Sequence, residues 1–165
     1  MRVLVVGAGV IDYVYGGRLA QAGHDVSFLA RGQLIACLQN HGLVLLDAES
    51  AQSLVRSVKF LNQLSIDDSY VPALVTVRCE LLAHTLSILR ALQGQPDILF
   101  TGNTTGHESE LAPDFSERAL FGFPATGGVL DRPVIRYVLI RQHKAILGEP
   151  TSTICEWRLR PLGDE

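Results

Sequence analysis

Val3 to Val6 is an unbroken apolar run rich in β-branched residues, the pattern of a strand buried on both faces. Gly7 and Gly9 follow at once. Val10 to Ala22 then reads as a helix, with Val10, Val14 and Gly17 along one face, Arg18 and Gln21 elsewhere, and Gly23 as its stop. Asp25 to Ala30 is a second strand. Strand, glycine turn, helix and strand in about 30 residues make one βαβ unit. Further on, Gln33 to Asn40 predicts a short helix, and Leu43–Leu46 with Val55–Leu61 an inserted antiparallel hairpin. Val71 to Val77 predicts a buried strand, with Pro72 near its start, where proline is tolerated. Arg78 to Leu92 predicts a helix with Leu81, Leu82, Leu89 and Leu92 as its apolar stripe, and Asp97 to Thr101 another strand. Gly106–Leu111 predicts a short helix and Leu120–Phe123 a short strand, with Val134–Ile140 and Lys144–Leu147 as a closing hairpin.

This alternation predicts an α/β fold: a Rossmann-like, doubly wound, mostly parallel sheet with helices on both faces. The expected division is one domain over residues 1–150, then a tail, or the start of a further domain, over 151–165. Ligands on such sheets bind at the carboxyl ends of the strands, which places the loops at 7–12, 31–33, 78–80 and 102–106 together.

The chemistry in those loops is that of a dinucleotide site. In Gly7-Ala8-Gly9-Val10-Ile11-Asp12, Gly7 permits the tight turn and Gly9 lets a pyrophosphate approach the backbone. The helix starting near Val10 offers free N–H groups and the positive end of its dipole. Asp12 departs from the pattern, because glycine or alanine normally lets helix and strand pack closely there. Its carboxylate must be buried and paired, or push the helix outward, and it brings negative charge near bound phosphates. Gly16, one turn on, is the residue expected to restore close packing. At the end of the second strand stands Arg31, where an NAD site has Asp or Glu for the ribose 2′-hydroxyl. An arginine suits a 2′-phosphate, so the expected cofactor is NADP. A methyltransferase would want an acidic residue at the same place, and Arg31 argues against it.

The stretch from Met1 to Gly32 resembles the opening of ketopantoate reductases, which reduce 2-dehydropantoate to pantoate with NADPH in pantothenate biosynthesis. The resemblance continues at VTVRCELLAHTL, ILFTGNTTGHESEL, FGFPATGG and ILGEP, and so covers nearly the whole chain. It implies that Gly7, Gly9, Val10 and Ile11 hold the pyrophosphate and Arg31 the 2′-phosphate. Arg78 stands where many members have a lysine near the phosphates. Asn103 matches an asparagine beside the nicotinamide ribose and substrate, with Thr104 where the family has glycine. Members of this family take a general-acid lysine, and a carboxylate and hydroxyl for the substrate, from a helical C-terminal domain. That domain is expected to be absent here. Neither Lys59 nor Lys144 lies in a matching motif, so no catalytic residue is expected in this chain and alone it is expected to be inactive.

Composition narrows the alternatives. The chain has 165 residues, 47% hydrophobic and 19% charged, enough apolar content for one soluble core. A net charge of −3 with no basic run argues against a nucleic-acid module. Cys37, Cys79 and Cys155 are odd in number and without CxxC spacing, as suits reduced thiols in the cytoplasm. His24, His41, His84, His107 and His143 are scattered, and no metal site is expected. Val3–Val6 is too short for a signal peptide, and no stretch suffices for a membrane span. Two readings remain: the NADPH-binding domain of an oxidoreductase acting on 2-dehydropantoate or a similar 2-keto acid, or a non-catalytic NADP(H)-binding module or structural subunit. In either, the face a second domain would cover is expected to be apolar and open to self-association.

Overall fold

In β1 (Arg2–Val6) successive side chains face opposite sides of a sheet, and both sides are covered. Val3 and Val5 join a core with Tyr13, Val14, Phe28, Leu45 and Ile135. Leu4 and Val6 join another with Val75, Leu89, Leu92, Ile98 and Phe100. This double burial explains the unbroken apolar run that begins the chain. The computed structural model describes residues 1–30, 35, 38–39, 42–77, 81–101, 114–115, 118–131, 134–140, 146–148 and 154–155.

The described elements are β1, α1 (Val10–Gln21), β2 (Asp25–Leu29), β3 (Leu43–Asp47), β4 (Ser53–Arg56), β5 (Lys59–Leu61), β6 (Pro72–Val75), α2 (Leu82–Arg90), β7 (Asp97–Phe100), β8 (Ala119–Phe123), β9 (Thr126–Asp131), β10 (Val134–Leu139), β11 (Ile146–Gly148) and β12 (Ile154–Cys155). They form an eight-stranded sheet in the order β12-β11-β8-β7-β6-β1-β2-β5 and a four-stranded sheet in the order β4-β3-β10-β9. In the large sheet the strands from β5 to β8 all run parallel. The chain leaves β1 towards β2 and β5, then returns to β6 on the other side of β1. The sheet's switch point therefore lies between β1 and β6, where doubly wound sheets open their ligand crevice.

α1 lies between the two sheets, touching β1 and β2 of the large one and β3, β4, β9 and β10 of the small one. Adjacent glycines make this possible. A methyl group on Gly16 would stand 2.3 Å from Cζ of Phe28, and one on Gly17 would stand 2.6 Å from Cδ1 of Leu45. Phe28 cannot swing away, because it is fully buried and packed against Tyr13 and Phe60, with both ring centroids at 5.4 Å. Gly16 thus does restore close packing, and it does so against β2. α2 covers the opposite face through Leu86 and Leu89, with Leu92 just beyond its end, so helices do flank both faces of the large sheet. Leu81 departs from the predicted stripe. It precedes the helix and is exposed, its carbonyl accepting a bond from Thr85 Oγ1 at 2.9 Å.

The small sheet is the main departure from the sequence reading. The run predicted as one strand over Val55–Leu61 divides between the sheets. β4 pairs antiparallel with β3, as the predicted hairpin requires, but β5 crosses to run parallel beside β2. The apolar side chain of Phe60 drives the crossing by stacking on Phe28, and Ala30 N donates to Leu61 O at 3.1 Å. The predicted closing hairpin does not form either. β10 pairs antiparallel with β9 and parallel with β3, while β11 joins the large sheet antiparallel to β8. Two glycines in β9 hide a strand that the sequence reading passed over. Gly128 is needed because a methyl there would stand 2.2 Å from the carbonyl oxygen of Arg136. Of the predicted helix over 33–40, only residues 35, 38 and 39 are described, and they are helical. The predicted helix over 106–111 lies outside the described residues.

The clamp on α1 is directly testable. Gly16→Val should lower stability by about 2 kcal/mol through overpacking against Phe28, read by urea unfolding. Gly127→Ala, where an added methyl meets nothing within 4 Å, should stay within about 0.5 kcal/mol of the parent. Equal stability of the Gly16 variant and the parent would contradict the packing described here.

Candidate functional site

The turn after β1 has the geometry its sequence requires. Gly7 adopts φ +146°, a conformation that favours glycine, and its N–H donates to Leu29 O at 3.2 Å. Gly9 is the N-cap of α1, with extended backbone, and its carbonyl accepts the first helical bond from Tyr13 N at 3.1 Å. Val10 and Ile11 are the first two helical residues. Residues in those positions have no carbonyl four places back within the helix, so their N–H groups are the donors the fold leaves for a ligand. Val10 and Ile11 are half-buried, and Gly9 is exposed. The turn thus presents bare backbone and a helix N-terminus at the mouth of the switch-point crevice, an arrangement that can hold an anionic phosphate.

Beneath that turn lies Asp12, only 3% exposed. Its Oδ2 accepts the N–H of Gly9 at 2.7 Å, and its Oδ1 accepts the hydroxyl of Thr76, which follows β6. Of the two options open to a carboxylate at this position, the structure takes burial with partners. The carboxylate fills the hollow under the turn: a methyl on Gly7 would stand 2.3 Å from Oδ1, and one on Gly9 would stand 3.2 Å from Oδ2. Asp12 also reaches back from the third helical position to the N-cap N–H, which is half of a capping box. Burial pushes its carboxyl up from 3.8 to about 6, with the Thr76 and Gly9 hydrogen bonds pulling the other way. Thr76 was missed by sequence reasoning because it sits in the apolar run Val71–Val77, where a threonine reads as a strand former.

Gly7, Gly9, Val10 and Ile11 are thus brought together at one turn. Arg31, Arg78 and Asn103, the other cofactor residues expected from the sequence, lie outside the described residues, as do Thr104, Lys144, His41, His107 and His143. The strands that lead to those loops do end side by side. Val6, Leu29, Val75 and Phe100 are the last residues of β1, β2, β6 and β7, and register pairs them as neighbours. Thr101, at the end of β7, is a further residue the sequence reading did not single out. It is 4% exposed, and its Oγ1 has no hydrogen-bond partner among the described residues. Lys59 pairs with Asp25 Oδ1 at 3.0 Å, at the start of β2 and so at the far end of the sheet. A cleft of about 340 Å³ between Arg90, Gln95, Asp114 and Arg118 also lies at the far end, before β7. No group of metal ligands occurs among the described residues, and none of their helices is long and apolar enough to cross a membrane.

Comparison with known proteins agrees with this geometry. A model of the family described as ketopantoate reductase PanE/ApbA matches residues 3–150. The 2-dehydropantoate 2-reductase of Pyrococcus abyssi is 25% identical over 139 residues, covering 81% of this chain and 43% of the relative. The crystal structure of 2-dehydropantoate 2-reductase from Geobacter metallireducens matches with a TM-score of 0.79 at 25% identity, over 93% of this chain and 50% of that one. The structure of D-mandelate dehydrogenase with NADH and anilino(oxo)acetate matches in fold, with a TM-score of 0.70 at 18% identity, over 82% of this chain and 45% of that one. The chain therefore spans about half the length of these proteins.

Burial of Asp12 carries a prediction for stability. A carboxyl whose folded pKa is raised binds more protons folded than unfolded, so its stabilising effect is complete below its ordinary value of 3.8 and is lost as pH rises through about 6. The charged form should then cost about 3 kcal/mol at pH 8. Asn at this position can accept from Gly9 and donate to Thr76 without charge. Asp12→Asn should exceed the parent in stability at pH 8, the gap narrowing as pH falls from 7 towards 4 in urea unfolding series. A gap constant across that range would show that Asp12 is not the titrating group.

Proposed function

The chain belongs to the ketopantoate reductase PanE/ApbA family of oxidoreductases, and on that footing we propose that it is the NADP(H)-binding half of a reductase for 2-dehydropantoate or a similar 2-keto acid. The observation that carries this reading is the turn from Gly7 to Ile11 at the switch point, with left-handed Gly7 and the bare N-terminus of α1. In it, Gly7 and Gly9 let the pyrophosphate approach, and the N–H groups of Val10 and Ile11 bond it. Arg31 grips the 2′-phosphate, Arg78 adds positive charge near the phosphates, and Asn103 orients the ribose and the substrate. When bound, the reduced nicotinamide supplies a hydride to the keto carbon. The protein's remaining task is to polarise or protonate the keto oxygen as charge develops. Lys59 does not do so, since it lies at the far end of the sheet with Asp25. The proton donor is accordingly assigned to a second domain or a partner chain, and the protein to the cytoplasm.

A non-catalytic NADP(H)-binding module is the second reading, and the buried Asp12 beneath the phosphate turn is the observation that favours it. A titration of NADPH fluorescence combined with a 2-dehydropantoate turnover assay separates the two. Binding with turnover supports the reductase, binding without turnover supports the module, and no binding at millimolar NADPH overturns the cofactor assignment. Arg31→Glu should reverse the preference for NADPH over NADH. The loss of a charge-assisted pair predicts NADPH binding weaker by tenfold or more. A preference unchanged in that variant would remove Arg31 from the site.

A further inference from the structure

We propose that Asp12 makes dinucleotide binding at this turn proton-linked: the pyrophosphate is held with Asp12 neutral and repelled with Asp12 ionised, so that binding takes up one proton from solvent. The inference rests on the cofactor reading above and adds a regulation to the same site. Its basis is geometric. The carboxylate is the inner wall of the phosphate turn, filling the hollow beneath Gly7 and Gly9. In the ionised form it holds the N–H of Gly9, one of the backbone donors a bound phosphate would otherwise share. It also brings a full negative charge, 3% exposed and so little screened by solvent, to the place where two more negative charges must settle. Protonation removes the charge and weakens the hold on Gly9.

Nothing else near the carboxylate competes for this role among the described residues. Its partners are a hydroxyl and backbone N–H groups, and no ion pair shifts it. The charged groups of the elements around α1 are engaged elsewhere. Arg18 of α1 reaches Tyr137 of β10 at 3.4 Å, and Arg136 of β10 pairs with Asp131 of β9 at 3.3 Å. Asp25 of β2 pairs with Lys59 of β5 at 3.0 Å and with Arg2 of β1 at 3.8 Å. Asp47 of β3 accepts from Glu49 N at 2.9 Å, and Arg56 of β4 donates to Val55 O at 2.9 Å. Burial already lifts the Asp12 carboxyl to about 6, so the step to a neutral group falls within the physiological range. The linkage is one proton per site, which limits the slope to tenfold in affinity per pH unit.

The test measures the dissociation constants of NADPH and NADH by nucleotide fluorescence from pH 5.5 to 8.5 for the parent, Asp12→Asn and Asp12→Gly. NADH is included because the 2′-phosphate of NADPH itself titrates near pH 6. The parent should bind NADH roughly fiftyfold more tightly at pH 6 than at pH 8. Both variants should bind NADH independently of pH and, at pH 8, more tightly than the parent does. Calorimetry in two buffers of different ionisation enthalpy should show proton uptake on NADH binding at pH 7.5 by the parent and none by Asp12→Asn. A flat parent profile, or variants that keep the parent's slope, overturns the proton linkage while leaving the cofactor site standing. Failure of all three proteins to bind either nucleotide at any pH overturns the cofactor reading, and this inference with it.

Discussion

Helix α1 is pressed between two sheets, and the site at its amino end exists because of that pressure. A helix placed there needs short side chains on both sides at the same level. Gly16 and Gly17 supply them, one against the ring of Phe28 in β2 and the other against Leu45 in β3. Two glycines inside a helix disfavour it by about 1 kcal/mol each, so the helix is held by its surroundings more than by its own propensity. Tyr13, Val14, Phe28, Leu43, Leu45 and Ile135 close around it as one core. A helix fixed along both sides keeps its first turn in place, and the first turn is the part that would meet the phosphates of the proposed cofactor.

Asp12 has to be understood within that rigidity. In a loosely held helix a carboxylate at the third position would turn outward to water. Here it sits under the turn, tied to Gly9 and to Thr76 across the switch point, so it stitches together the loop after β1, the start of α1 and the end of β6. The same residue caps the helix and places a negative charge under the binding surface. In the proposed reading, a group that holds the turn in shape when empty opposes the anionic ligand the turn would bind. Neutralising the carboxyl reconciles the two, because a protonated side chain still fills the hollow.

Much of this was legible in the sequence, and the boundary of legibility has physical causes. The central strands of the large sheet announced themselves because double burial leaves apolar runs, as in Val3–Val6 and Ala73–Val75. The glycine turn was legible because few other residues could form it. The small sheet was not. Val55–Leu61 reads as one strand until the stacking of Phe60 on Phe28 carries its second half to another sheet. β9 was hidden by glycines that a periodicity reading scores as turns, yet the neighbouring strand demands one of them. Thr76 could have been found only by asking what partner a buried Asp12 would need.

The small sheet also bears on the site itself. A methyl group on Gly128 of β9 would stand 3.0 Å from Cγ1 of Val10, one of the residues whose N–H is proposed to bond the phosphates. Ala125, just before β9, donates its N–H to Tyr15 Oη at 3.2 Å, one turn further along α1. The β9 region therefore rests on the helix by side-chain contact at its first turn and by a hydrogen bond at its second. Arg136 and Asp131 pair diagonally on the outward side of the same hairpin, where the register sets Arg136 opposite Val129 and Asp131 opposite Val134. A shift of β9 would be felt at Val10 through that side-chain contact, and the β9 backbone is itself held close to β10 at Arg136 and Tyr137. The small sheet is thus the outer wall of the Gly7–Ile11 turn as Asp12 is its inner wall, and the proposed cofactor geometry would depend on both.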